Sequence, residues 1–173
     1  MPATASPALA LSRLLLQLCR VLNALTGVGL VVAFAASFPY ADTFAAFFTK
    51  GPATIGSQWL LPVLRLWMVA ALPMVAAVHV FLSRLLAVVD TVRDGDPFVP
   101  ANAARLRTIA WCGFAIECLR LVFGVFAGLM DAAGSDIPWS FSLNGWLAVG
   151  LLFVLAQVFA EGTRLRDDLH GMV

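Results

Sequence analysis

Glu117 and Arg120 are the only charges in the run 108–130, TIAWCGFAIECLRLVFGVFAGLM. A spacing of three places both side chains on one face of an α-helix. If that helix crosses a bilayer, counting from Arg107 puts Glu117 about 15 Å and Arg120 about 20 Å into the hydrocarbon. Charges at such depth are costly against lipid, so their face turns toward protein or water. Two chemistries fit: a salt bridge that holds the helices in register, or a proton, ion or ligand site. Asn23, Thr26, His79 and Gln157 are the polar residues that other helices could bring toward the pair.

No other cluster reads as catalytic. GxSxG, HExxH and GxxxxGK[ST] are all missing, so the nucleophile, zinc and phosphate chemistries those spacings serve have no footing. Asp90, Asp94 and Asp96 fall in DTVRDGDP, which lacks the alternation and distant Glu of a calcium loop. Cys19, Cys112 and Cys118 form no CxxC and read as small buried apolar residues. The expectation is a protein without enzymatic activity, metal or cofactor, and without a direct nucleic-acid surface.

The elements that carry the pair follow from composition. Of the 173 residues, 61% are hydrophobic and 12% charged, with mean hydropathy +0.92, against about 25% charged in a soluble domain. Helices are predicted over 14–38, 59–89, 101–130 and 141–166, each long enough to span about 30 Å of hydrocarbon. The fold class is therefore all-α, an integral-membrane four-helix bundle forming one domain over 1–173. The N-terminus does not read as a cleaved signal, because Arg13 and Arg20 flank the apolar run.

Basic residues set the orientation. Arg13, Arg20, Arg84, Arg93, Arg105, Arg107, Arg164 and Arg166 fall on one side, and Lys50, with Arg65 near it, on the other. Both termini and the 84–107 segment are thus expected in the cytoplasm. Arg65 is expected to snorkel to the outer headgroups, and Trp59, Trp67, Trp139 and Trp146 to form an outer aromatic belt, with Trp111 near the inner one. Phe44, Phe47 and Phe48 suggest a short interfacial helix between the first two spans. Gly124 and Gly128 form GxxxG, a face for close helix approach that leaves a homo-oligomer open.

The polar segments lie at 90–107 and 161–173. In the first, Gly95 and Pro97 end one helix, while either Asn102 as N-cap or Pro100 in the first turn starts the next. If the neighbouring spans pack together, the two segments form one cytoplasmic surface for a soluble partner. Its residues would be Asp94, Asp96, Phe98, Asn102, Arg105, Arg107, Arg164, Arg166, Asp167, Asp168 and Leu169, with Phe98 and Leu169 as apolar anchors among complementary charges.

The letters GDPF, N and RLR at Gly95, Asp96, Pro97, Phe98, Asn102, Arg105, Leu106 and Arg107, followed by a tail with Phe159, Gly162, Leu165, Arg166, Asp167, Asp168, Leu169 and Val173, carry a family likeness. The chain resembles an uncharacterised bacterial family of small four-helix inner-membrane proteins, a domain of unknown function. Members of that family stand beside small helix-turn-helix regulators in genomes. The resemblance implies a membrane-side sensor, or a sequestering partner, of a small cytoplasmic DNA-binding regulator. The ending DDLHGMV departs from the family's acidic-then-LTV tail at His170 and Gly171. The alternative reading is a small transporter or channel subunit that uses Glu117 and Arg120.

Overall fold

The computed structural model describes residues 7–48, 57–93, 99–132 and 139–170. They form α1 (Pro7–Ala36), α2 (Ala41–Phe48), α3 (Ser57–Arg93), α4 (Pro100–Ala132) and α5 (Leu143–His170), with no strand among the described residues. Four of these helices contain a segment long and apolar enough to cross a membrane: Leu9–Ala36, Leu61–Arg93, Pro100–Gly128 and Leu143–Arg166.

Each long helix packs on the next in chain order, α1 on α3, α3 on α4 and α4 on α5, with no extensive contact from α1 to α4 or α5 among the described residues. The four-helix bundle is therefore an open row. All three pairings are antiparallel. Arg13 on α1 meets Asp90 on α3 while Ser37 meets Arg65. Thr91 on α3 meets Asn102 on α4 while Trp67 meets Phe126. Trp111 on α4 meets Phe153 on α5, and Phe114 meets Trp146. The start of α1, the end of α3, the start of α4 and the end of α5 consequently share one end, which also carries Arg13, Arg93, Arg107 and Arg164 and is called the basic end below.

Local chemistry explains where the helices begin and stop. Pro100 opens α4, where its missing N–H costs nothing. Asn102 donates its backbone N–H to Val99 O at 2.9 Å, but its side chain is no N-cap: it is fully buried. Asn102 Oδ1 accepts from Arg105 Nη1 at 2.9 Å, and the same nitrogen reaches Thr91 Oγ1 at 2.9 Å and Ala87 O at 3.1 Å. The Thr91 hydroxyl donates to Ala87 O at 2.6 Å. This cluster welds the last turn of α3 to the first turn of α4. Beneath it lies the best-packed apolar region, where Leu106, Ile109 and Ala156 are buried against Phe81, Leu85 and Phe159.

At the opposite end, α1 stops at Ala36 and Arg65 serves the residue that follows it, the buried Ser37. The guanidinium donates to Ser37 O at 2.6 Å and Ser37 Oγ at 3.0 Å, and it lies 4.1 Å over the Phe38 ring. This corrects the expectation that Arg65 reaches for headgroups: a cation at a helix C-terminus satisfies carbonyls that the helix leaves open. The tryptophans likewise bridge helices. Trp67 of α3 packs on Phe123 and Phe126 of α4, and Trp111 and Trp146 join α4 to α5. The side chain of Trp59 lies outside the described residues.

α3 continues through Pro62 and Pro73, as membrane helices do when neighbouring polar groups help satisfy the backbone. Two residues past the second proline, Asn23 Nδ2 of α1 donates to Val75 O at 3.0 Å. Gly27 lets the helices meet there, since a Cβ on it would stand 3.0 Å from Val75 Cγ1.

The two polar ties at the basic end should differ in worth. Arg13 Nε lies 3.1 Å from Asp90 Oδ1 with both side chains about two-fifths exposed and no aligned hydrogen bond from that nitrogen, so Arg13→Ala should cost about 0–1 kcal/mol. Arg105→Ala leaves Asn102 Oδ1 without its cationic donor in a buried corner and should cost about 1.5–3 kcal/mol. Unfolding midpoints in detergent measure both, and an equal loss would contradict this ranking.

Candidate functional site

The Glu117–Arg120 pair sits on α4 where that helix passes the first turn of α5. Arg120 Nη1 donates to Glu117 Oε1 at 3.3 Å. Glu117 is 8% exposed, whereas the Arg120 side chain is 42% exposed. The ion pair therefore closes within α4. Among the described residues it makes no ion pair to another helix.

α5 supplies the wall that buries the carboxylate. Gly145 lies directly against it, and a Cβ built on Gly145 would overlap both the Glu117 carboxylate oxygens and Cδ. Gly145 also belongs to the cap of α5, its N–H donating to Ser142 Oγ at 3.3 Å. The carboxylate thus rests on the first turn of a helix, where unpaired N–H groups concentrate partial positive charge.

Two turns along α4, away from the basic end, Trp139 lies across Gly124, where a Cβ would overlap the indole ring. This corrects the reading of Gly124 and Gly128 as a joint face for close helix approach: Trp139 already occupies the first, while Gly128 meets nothing within 4 Å among the described residues. Trp139 stands between the charged pair and the far end of the molecule. Gly113 supports the same α4–α5 seam from the other side, at 3.3 Å from Val149 Cγ2 for a built Cβ.

None of the polar residues named as companions meets the pair. Asn23 serves Val75 O and the Thr26 hydroxyl serves Leu22 O at 2.9 Å. His79 lines a groove between α1 and α3, and Gln157 one between α4 and α5. The residues that complete the site, Gly145, Ser142 and Trp139, carried no signal of their own in the sequence. Only the α4–α5 register brings them to Glu117.

The second expected surface is at the basic end. Asp94, Asp96 and Phe98, and the side chains of Asp167 and Leu169, lie outside the described residues. Asn102 is buried and the half-buried Arg105 directs its guanidinium to Asn102, Thr91 and Ala87, so these two hold the α3–α4 corner. Arg107, Arg164, Arg166 and Asp168 are exposed, and Arg164 pairs with Glu161 at 3.6 Å. Ala103 and Ala160 line one groove of about 450 Å³. From that level Arg107 lies inward along α4 and Arg164 outward along α5, so the two RLR triplets are offset by about 12 Å. Among the described residues no three His, Cys, Asp or Glu gather as metal ligands.

The glycines give a direct test of the α4–α5 seam. Gly124→Ala must displace the Trp139 ring and should destabilise the protein by about 1–3 kcal/mol. Gly128→Ala meets nothing and should be neutral, or stabilising by up to about 1 kcal/mol through helix propensity. Detergent unfolding of the two variants decides it, and a comparable loss in both would restore GxxxG as a packing face.

The family described as Protein of unknown function (DUF2975) matches residues 2–171. Neither the curated proteins nor the solved structures contain a match. With nearly the whole length matched, and with four helices fit to cross a membrane, the chain belongs to the DUF2975 family of proteins of unknown function.

Proposed function

We propose that this membrane protein is a small transporter or channel subunit, with Glu117 as the group that takes up a proton or cation and Arg120 as its internal counter-charge. The observation that carries the reading is that the Glu117 carboxylate is buried against Gly145 of α5 while its counter-charge sits on its own helix and stays two-fifths exposed. Burying a carboxylate costs several kcal/mol of desolvation, and the ion pair itself adds no charge–charge tie between helices. Charged groups inside a span face protein or water and mark ion and proton pathways.

The geometry gives the two residues different parts. Glu117 is shut against α5, while Arg120 keeps two-fifths of its side chain open. A proton arriving at Glu117 would cancel its charge and free the guanidinium, and loss of the proton would draw the guanidinium back. Trp139, lying over Gly124, is the bulky group on the route from the far end. In this reading the basic end faces the cytoplasm of a bacterial cell, as the arginine bias favours.

A second reading is favoured by the basic end. There α4 begins and α5 ends side by side, and Arg107, Arg164, Arg166 and Asp168 are exposed. A small cytoplasmic regulator docking there would make the protein its membrane-side sensor or sequestering partner. Co-purification of such a regulator with the parent, lost on Arg164→Glu with Arg166→Glu, would support it.

For the first reading, proteoliposomes carrying an entrapped pH-sensitive dye should show proton flux under an imposed potential. Glu117→Gln should reduce that flux tenfold or more, and Arg120→Lys should retain most of it. Parent protein that passes no more protons than empty liposomes would refute the reading.

A further inference from the structure

A groove of about 620 Å³ runs between α1 and α3, with Gly27, Val28, Val31, Val32, Leu72 and Val75 along it. At its end nearer the basic end it continues into a second hollow of about 470 Å³, sharing Ala24 and His79 with the first and adding Gln17, Arg20 and Val21. The two parts differ in chemistry. The long part is apolar apart from His79 at the junction and Asn23, whose amide is already engaged with Val75 O. The short part carries Arg20, Gln17 and His79, and no acidic side chain lines either part.

These polar groups are unspent. Arg20 forms no ion pair, and neither the Gln17 amide nor the His79 imidazole takes a hydrogen bond, among the described residues. From Arg20 to Val32 the groove extends twelve residues, about 18 Å, close to one leaflet's share of a hydrocarbon core about 30 Å thick. An amphiphile with an anionic head and a chain one leaflet long matches this shape and polarity. A second copy of the chain would bring no acidic side chain from its equivalent groove to meet Arg20.

We propose that the α1–α3 groove binds one anionic phospholipid of the leaflet at the basic end. Its phosphate lies between Arg20 and His79 with Gln17 beside it, and one acyl chain runs along Gly27, Val31 and Leu72. Charge attraction selects the headgroup, and the dry groove holds the chain against exchange with bulk lipid. The site is separate from Glu117 and does not depend on the transport reading.

Native mass spectrometry of protein released from nanodiscs tests this, using phosphatidylcholine alone or mixed with a minority of phosphatidylglycerol. The parent should retain one phosphatidylglycerol in preference to phosphatidylcholine, and added inorganic phosphate should not displace it. Arg20→Gln with His79→Gln should lower that retention at least fivefold, while Arg93→Gln, a basic change outside the groove, should leave it unchanged. Ala24→Trp, which fills the junction of the two parts from an exposed position, should abolish retention whatever the headgroup. Equal retention of the two lipids by the parent, retention undiminished in both groove variants, displacement by inorganic phosphate, or a dimer without lipid would each overturn the proposal.

Discussion

The Glu117 carboxylate is held between the guanidinium one turn along its own helix and the bare backbone of the first turn of α5. Everything on the α4–α5 side of the molecule is arranged around that contact. A residue with any side chain at position 145 would push the carboxylate away from the helix start. A register shift of one residue between α4 and α5 would replace Gly145 with Asn144 or Trp146 and leave a buried charge facing bulk. The small residues and rings along the seam, Gly113 under Val149 and Phe114 on Trp146, keep that register.

The other half of the molecule obeys a different constraint. Among the described residues α1 packs extensively on α3 only, and its spanning segment buries none of its residues. Lipid is as apolar as a leucine side chain, so exposure of this kind carries no hydrophobic cost in a membrane. What holds α1 is polar and local: Arg65 on Ser37 at one end and Asn23 on Val75 O in the middle, with the exposed Arg13–Asp90 pair adding little at the other. In hydrocarbon a bond such as that of Asn23 has little water to compete with it. Arg65 and Asn23 define how α1 lies without a packed core, and the groove beside Gly27 is the gap they leave.

How much of this was legible in the sequence depends on whether a feature is local. Four apolar runs announce four spanning helices because hydrocarbon admits little else, and the charged pair announces itself because nothing near it is charged. Arg65 was legible as a cation near a helix end, but its partner was not. Position alone suggested headgroups, whereas the nearest unsatisfied carbonyls belong to α1, twenty-eight residues earlier. Trp139 read as a belt residue because an indole beside a span usually is one. Its seat on Gly124 depends on how the chain before α5 folds back. Gly145 was silent, since a glycine in LNGWLAVG is unremarked until the facing helix is known. Asn102 carried a true signal of a helix start, yet Pro100 holds that position and Asn102 is drawn inward to Arg105. Packing across helices decided each of these cases.

The central claim is that Glu117 and Arg120 neutralise each other within α4, with the carboxylate sheltered against α5. A double-mutant cycle on stability in lipid nanodiscs, with Glu117→Gln, Arg120→Gln and both, tests it most directly. Removing Arg120 alone strands a buried carboxylate and should cost about 3–5 kcal/mol, while the double variant, with no charge left to shelter, should lie close to the parent. A double variant as unstable as the sum of the two single ones would show that the pair does not act as a pair, and would contradict the account.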